Sequence, residues 1–223
     1  QAKQHLVGAK SGLTLLQKIP MFAGLPDVQL EQIARMTVSR KVTRNTTIVY
    51  VGDSTDSLFV IVSGSAKVLN RDAEGNEVIL TFLSAGECFG EMGLIDGSPR
   101  SADVVASESC ELLVIAKTDL MKALADNVDL CLNIMKSLVL RLREANRKIE
   151  SLALMDVYGR VAKLLLDFSL EENGVRVIRR KVTKQDMAKM VGASREMVSR
   201  VMKDLERSGY IRIEPGRIVL SED

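Results

Sequence analysis

Phe89-Gly90-Glu91-Met92-Gly93-Leu94-Ile95-Asp96-Gly97-Ser98-Pro99-Arg100-Ser101-Ala102 is the stretch on which the reading of this 223-residue chain turns. Glycines on either side of Glu91 and Met92 let main-chain N–H groups come close to a ligand. Successive N–H groups opening a short helix form a concavity for an anion. Arg100 adds a planar fork suited to phosphate, and Ser101 a hydroxyl beside it. Glu91 is an acceptor, matched to a sugar hydroxyl rather than to a phosphate. Phosphate grip and ribose acceptor in one loop describe a nucleotide site. It is not a Walker loop, because the G-x-x-x-x-G-K-S/T pattern is absent. The plainer alternative is a surface loop in which Glu91 and Arg100 pair with each other.

The loop sits inside a β-rich region, Arg40 to Ala116. Short apolar runs such as Leu58–Val62, Ala66–Leu69, Val78–Leu83, Ala102–Ala106 and Leu112–Ile115 are punctuated by Gly64 and by a Glu74-Gly75-Asn76 turn. Many short strands separated by turns argue for a sandwich or barrel. Before it come a leader, 1–14, expected to fray, and a short helix that Asp27 is expected to cap, with Leu30, Ile33 and Ala34 on one face.

After it comes one long helix, Asn127 to Asp156, on the order of 45 Å long. Val128, Cys131, Met135, Leu138, Leu142, Ala145, Ile149, Leu152 and Asp156 recur at alternating steps of three and four. That is the seam of a coiled coil, and its charged flanks favour pairing with a second copy over a core helix within one subunit. Asn146 lies beside the small Ala145, where the seam is least ideal.

The last third reads as a helix-turn-helix. With Lys184 as position one, the inward positions fall on Met187, Val191, Ala193, Val198 and Val201, Ala188 supplies the small contact and Gly192 the turn. Thr183 and Ser194 are placed to cap the two helices. Thr183, Lys184 and Gln185 open the first; Arg195, Glu196 and Arg200 are presented by the second. Arg reads guanine and Glu accepts from cytosine. Tyr210–Ile213 and Arg217–Leu220 around Glu214-Pro215-Gly216 form a hairpin, so the unit is winged. An ordinary helical hairpin is the alternative, but the small, glycine and apolar positions agree together.

Composition narrows the rest. The chain carries a net charge of +2, with 46% hydrophobic residues. Twelve basic and seven acidic residues from Arg176 onward give that end +5 and leave −3 for the remainder. A basic end on a near-neutral chain suits a polyanion. Three scattered cysteines and a single histidine, His5, favour no disulfide framework, metal site, haem, iron–sulfur cluster or histidine-dependent enzyme. No run reaches the ~20 apolar residues of a membrane span, and a cytoplasmic protein fits best.

Phe89 to Ala102 resembles the phosphate-binding cassette of cyclic-nucleotide-binding domains. Ser194-Arg195-Glu196-Met197-Val198-Ser199-Arg200 and the stretch Ala153 to Arg160 resemble the recognition helix and hinge of bacterial transcription regulators of the cyclic AMP receptor/FNR type. Together the resemblance spans about Ile19 to Leu220. It implies an α+β chain: an eight-stranded jelly roll (15–125), a dimerisation helix (126–156) and a winged helix-turn-helix (157–223). It implies a ligand site of Gly90, Glu91, Met92, Arg100, Ser101 and Ala102, with Ala145 and Asn146 where the receptor carries a Thr-Ser pair against adenine. The implied effector is cyclic AMP or cyclic GMP; cyclic di-GMP and no ligand at all are the alternatives. Arg143-x-x-x-Arg147 resembles a dinucleotide clamp, but a solvated charge pair on an exposed helix face is the better reading. The implied partners are a second copy, a palindromic operator with TGTGA-like half-sites, and RNA polymerase. A nucleotide-binding regulatory subunit of a protein partner is the rival class.

Overall fold

The structure is a computed structural model, and it describes residues 5–6, 14, 16–179 and 182–221. By packing, the chain divides into two compact units, up to Leu142 and from Arg143.

The first unit is a β-roll. Its strands are β1 (His5–Leu6), β2 (Thr37–Val42), β3 (Thr47–Val49), β4 (Ser57–Ser63), β5 (Ser65–Arg71), β6 (Glu77–Ser84), β7 (Cys88–Phe89), β8 (Asp103–Ala106) and β9 (Cys110–Ala116). They form two antiparallel sheets, in the orders β1-β2-β9-β4-β7 and β3-β8-β5-β6. Among the described residues there are nine strands rather than the expected eight, because His5 and Leu6 pair with Ser39 and Val38. That part of the expected frayed leader is therefore strand; most of 1–14 lies outside the described residues.

Why β4 reads as an unbroken apolar run is now plain. Phe59 and Ile61 point into the core between the two sheets, with Leu83, Phe89 and Leu112. Leu58 and Val60 point the other way, into a second core under the helices. Those helices are α1 (Asp27–Met36), α3 (Lys117–Ala125) and the start of α4 (Val128–Leu154). A strand covered on both faces needs no polar alternation. The short α2 (Glu91–Asp96) lies between β7 and β8. Asp27 does not cap α1: the capping position is Pro26, whose fixed φ suits a helix start, and Asp27 is the first helical residue.

The long helix ends at Leu154, not Asp156. Asp156 leaves helical geometry and caps the next helix, α5 (Val157–Phe168), accepting from the Gly159 N–H at 2.8 Å. Its register also differs from the expected seam. Cys131 and Leu138 are half-buried, and Leu138 packs on the unit's own core beside Leu130 and Ile134. The exposed apolar stripe is Val128, Leu132, Met135, Val139 and Leu142, continued by Asn146 and Ile149.

The second unit contains α5, the hairpin β10 (Leu170–Glu172) and β11 (Val175–Ile178), then α6 (Lys184–Val191), α7 (Arg195–Arg207), β12 (Ile211–Glu214) and β13 (Arg217–Leu220). The four strands form one sheet, β10-β11-β13-β12. α5, α6 and α7 bury Val161, Leu165, Met187, Val191, Val198 and Leu205 in a common core. No helix among the described residues is long and apolar enough to cross a membrane.

Candidate functional site

α2 opens at Gly90, whose φ of +87° suits glycine alone. A Cβ there would stand 2.1 Å from the Arg100 Nη1 atom. The close approach exists because Arg100 folds back under the loop. Its Nη1 donates to the Gly90 carbonyl at 3.1 Å and its Nη2 to the Ser57 carbonyl at 2.7 Å. The guanidinium also lies over the Phe59 ring, 5.6 Å from its centroid. Arg100 is 7% exposed, and its nearest carboxylate is the exposed Asp56, 3.8 Å away. Burial lowers its pKa from the usual arginine value, opposed by Asp56, Asp53 and Glu91. A buried cation held mostly by neutral carbonyls is an incompletely compensated charge, and an anion would complete it.

Glu91 is buried, at 3% exposure. It does not pair with Arg100. Instead its Oε1 accepts from Arg141 Nη1 at 2.6 Å, and Arg141 Nη2 also donates to the Cys88 carbonyl. The Glu91 Oε2 atom is buried without a hydrogen-bond partner. A buried carboxylate oxygen left open is costly and suits a donor hydroxyl brought by a ligand. Desolvation, reinforced by Glu91, pushes the neighbouring Cys88 thiol up to about 12.

Gly90 and Arg100 are thus in contact, Glu91 follows Gly90 in the chain, and Ala102 is buried. Met92 is 53% exposed, and Ser101 is also exposed. A cavity of about 590 Å³ opens beside Arg100, over Val38, Ile48, Val49 and Phe59. Among the expected ligand residues only Arg100 lines it. Ala145 and Asn146 lie on α4 in the second unit, both exposed. Arg141 was not among the expected site residues; sequence alone marks it only as a charged flank.

In the second unit Thr183 Oγ1 accepts from the Asp186 N–H at 3.0 Å and Ser194 Oγ from the Met197 N–H at 3.1 Å, the two expected caps. Gly192 takes the turn at φ +63°. Arg195, Glu196 and Arg200 are exposed on α7, whose other face carries the buried Val198, Val201, Met202 and Leu205. Lys184 Nζ donates to Ser199 Oγ at 3.3 Å, joining the two helices on their polar side. Thr183 and Gln185 are exposed beside them.

Residues 39–127 match the family model of the cyclic nucleotide-binding domain, and residues 159–222 that of the Crp-like helix-turn-helix domain. The chain is 36% identical over 188 residues to the cAMP-activated global transcriptional regulator Vfr of Pseudomonas aeruginosa, covering 81% of this chain and 88% of that protein. The chain belongs to the CRP/FNR family of bacterial transcription regulators. It is 32% identical over 206 residues to the cAMP-activated global transcriptional regulator CRP of Salmonella typhimurium, covering 90% of this chain and 98% of that one. The solved structure of the c-di-GMP-responsive global regulator CLP of Xanthomonas campestris superposes with a TM-score of 0.75 at 28% identity. It covers 89% of this chain and all of CLP. This family member is accordingly a DNA-binding transcription regulator with a cyclic-nucleotide-binding domain, and not an enzyme.

Proposed function

We propose that the chain acts in the cytoplasm as a homodimer that binds a palindromic operator and is switched by a cyclic nucleotide held in the β-roll. The observation that carries this reading is the pair of incomplete groups in one loop: Glu91 with Oε2 open, and the buried Arg100 without a close, buried counter-charge. One takes a ribose hydroxyl; the other, with Gly90, Met92, Ser101 and Ala102, takes the cyclic phosphate. The sensor would span 15–125, the dimerisation segment 126–156, which carries α4 (Val128–Leu154), and the DNA-binding part 157–223. The exposed stripe of α4 supports self-pairing, since an unpartnered row at steps of four and three matches a copy of itself. Ala145 and Asn146 would face the base. Thr183, Lys184, Gln185 and Ser194 hold phosphates, while Arg195, Glu196 and Arg200 read base edges. RNA polymerase is the downstream partner.

Cyclic AMP is the first effector to test, because Vfr and CRP are cAMP-activated and match 81% and 90% of this chain. Cyclic GMP shares the same ribose and phosphate. Cyclic di-GMP is the second reading, favoured by the likeness to CLP and by the exposed Arg143 and Arg147 one turn apart on α4. Titration calorimetry decides. Wild-type protein is expected to bind cyclic AMP, and Arg100→Ala to weaken it at least ~100-fold, about 2.7 kcal/mol. Unchanged binding by Arg100→Ala would overturn the pocket assignment. Arg195→Ala is expected to lose roughly 10- to 100-fold of its preference for the palindrome, the worth of one bidentate guanine contact. Retained preference would remove Arg195 from base reading.

A further inference from the structure

Ala102-Asp103-Val104-Val105-Ala106 carries one acid in an otherwise apolar run, and β8 begins on it. Local rules call for an apolar residue there, since Asp103 stands opposite Leu69 in the ladder with β5. Such departures from local consistency mark positions kept for another purpose. The Asp103 side chain is 5% exposed, and both of its oxygens are engaged. Oδ1 accepts from the Val51 N–H at 2.8 Å. Oδ2 meets Arg71 Nη1. Arg71 ends β5, and its Nε and Nη2 hold Glu77 Oε1, at the start of β6, at 3.1 and 2.8 Å. One carboxylate therefore ties together β8, the turn at Tyr50–Gly52 and both legs of the β5–β6 hairpin near its tip.

That turn is joined directly to the cassette. Gly52 N–H donates to the Arg100 carbonyl at 2.8 Å, and Arg100 N–H to the Asp53 carbonyl at 2.9 Å. The main chain of the buried arginine is thus held by the segment that Asp103 fixes. We propose that Asp103 is a positioning residue whose clasp on Val51 and Arg71 locks the β5–β6 hairpin to the nucleotide cassette and sets how tightly the effector is held. This rests on the cyclic-nucleotide reading. The physical reason is preorganisation. A loop already ordered in its binding geometry loses less entropy when the ligand arrives, whereas an unclasped hairpin must be ordered at that moment.

Arg71 is 42% exposed at its side chain, so it can be replaced without opening the core. Arg71→Gln keeps the Asp103–Val51 bond and removes the clasp on the hairpin. Arg71→Lys restores one charge without the fork. Hydrogen exchange without ligand is expected to quicken at least 10-fold across residues 72–80 in Arg71→Gln, with α6 and α7 unchanged. Cyclic AMP affinity, by calorimetry, is expected to fall about 10-fold in Arg71→Gln and by less in Arg71→Lys. Asp103→Asn, which keeps size and shape, is expected to weaken affinity at least as much as Arg71→Gln. Unchanged exchange across 72–80 overturns the clasp. Faster exchange with unchanged affinity overturns its role in holding the effector. If wild-type protein binds none of cyclic AMP, cyclic GMP or cyclic di-GMP, the nucleotide reading falls, and the exchange result alone decides the clasp.

Discussion

Gly90 shows how the site depends on single atoms. It combines a φ of +87° with a Cβ position 2.1 Å from Arg100 Nη1. Gly90→Ala is expected to cost about 1–2 kcal/mol from backbone strain alone and to displace the guanidinium. The urea midpoint should drop, and cyclic AMP affinity should drop at least 10-fold in calorimetry. An alanine variant with native affinity would mean that the fold-back of Arg100 is not the binding geometry. Cys88 offers a second check at this scale. With its thiol pushed up to about 12, it carries almost no thiolate at pH 8. Burial raises the Cys110 thiol as well. Native protein at pH 8 should therefore react with a disulfide reagent at half-buried Cys131 first, with all three thiols reacting only in denaturant. Rapid native labelling of Cys88 would contradict its burial. At this scale the closeness of Gly90 and Arg100 was within reach of the sequence, since they lie ten positions apart, whereas the Glu91–Arg100 pair it also allowed does not form. Arg141 was out of reach, because it meets Glu91 across fifty residues. No local signal separates an arginine that reaches a buried carboxylate from one on a solvated flank.

Elements repeat that division between short-range and long-range information. The helix-turn-helix was legible to the cap, since Thr183 with Asp186 and Ser194 with Met197 are contacts three residues apart. The long helix was legible as a helix, but its seam was not. Apolar residues occupy both available steps, Cys131 and Leu132, then Leu138 and Val139, so two stripes fit the same sequence. Only packing decides between them: the unit's own core takes Leu130, Ile134 and Leu138. The end was misplaced for a related reason. Asp156 falls on the seven-residue rhythm yet gives its carboxylate to the start of α5, a better use for a short acceptor than a helix interior. If the exposed stripe pairs two copies, Leu142→Arg, at a residue 61% exposed in one chain, should convert dimer to monomer in sedimentation equilibrium. A variant that stays dimeric would place the interface elsewhere.

For the whole molecule, the division of labour follows from charge and from fold. The basic end belongs to the helix-turn-helix unit, and the buried pair Glu91 and Arg100 belongs to the β-roll. Two sites in one chain become a switch only if ligand at one changes affinity at the other, and that coupling must be reciprocal. Fluorescence anisotropy of a labelled palindromic duplex with TGTGA half-sites, centred about one helical turn apart, tests this most directly. The duplex would be titrated with and without saturating cyclic AMP, cyclic GMP or cyclic di-GMP at fixed salt, since phosphate contacts alone make affinity salt-dependent. The account predicts tighter binding by at least 10-fold with cyclic AMP, and a clear preference over a scrambled duplex. Identical affinity with and without all three nucleotides, or no preference for the palindrome, would contradict it.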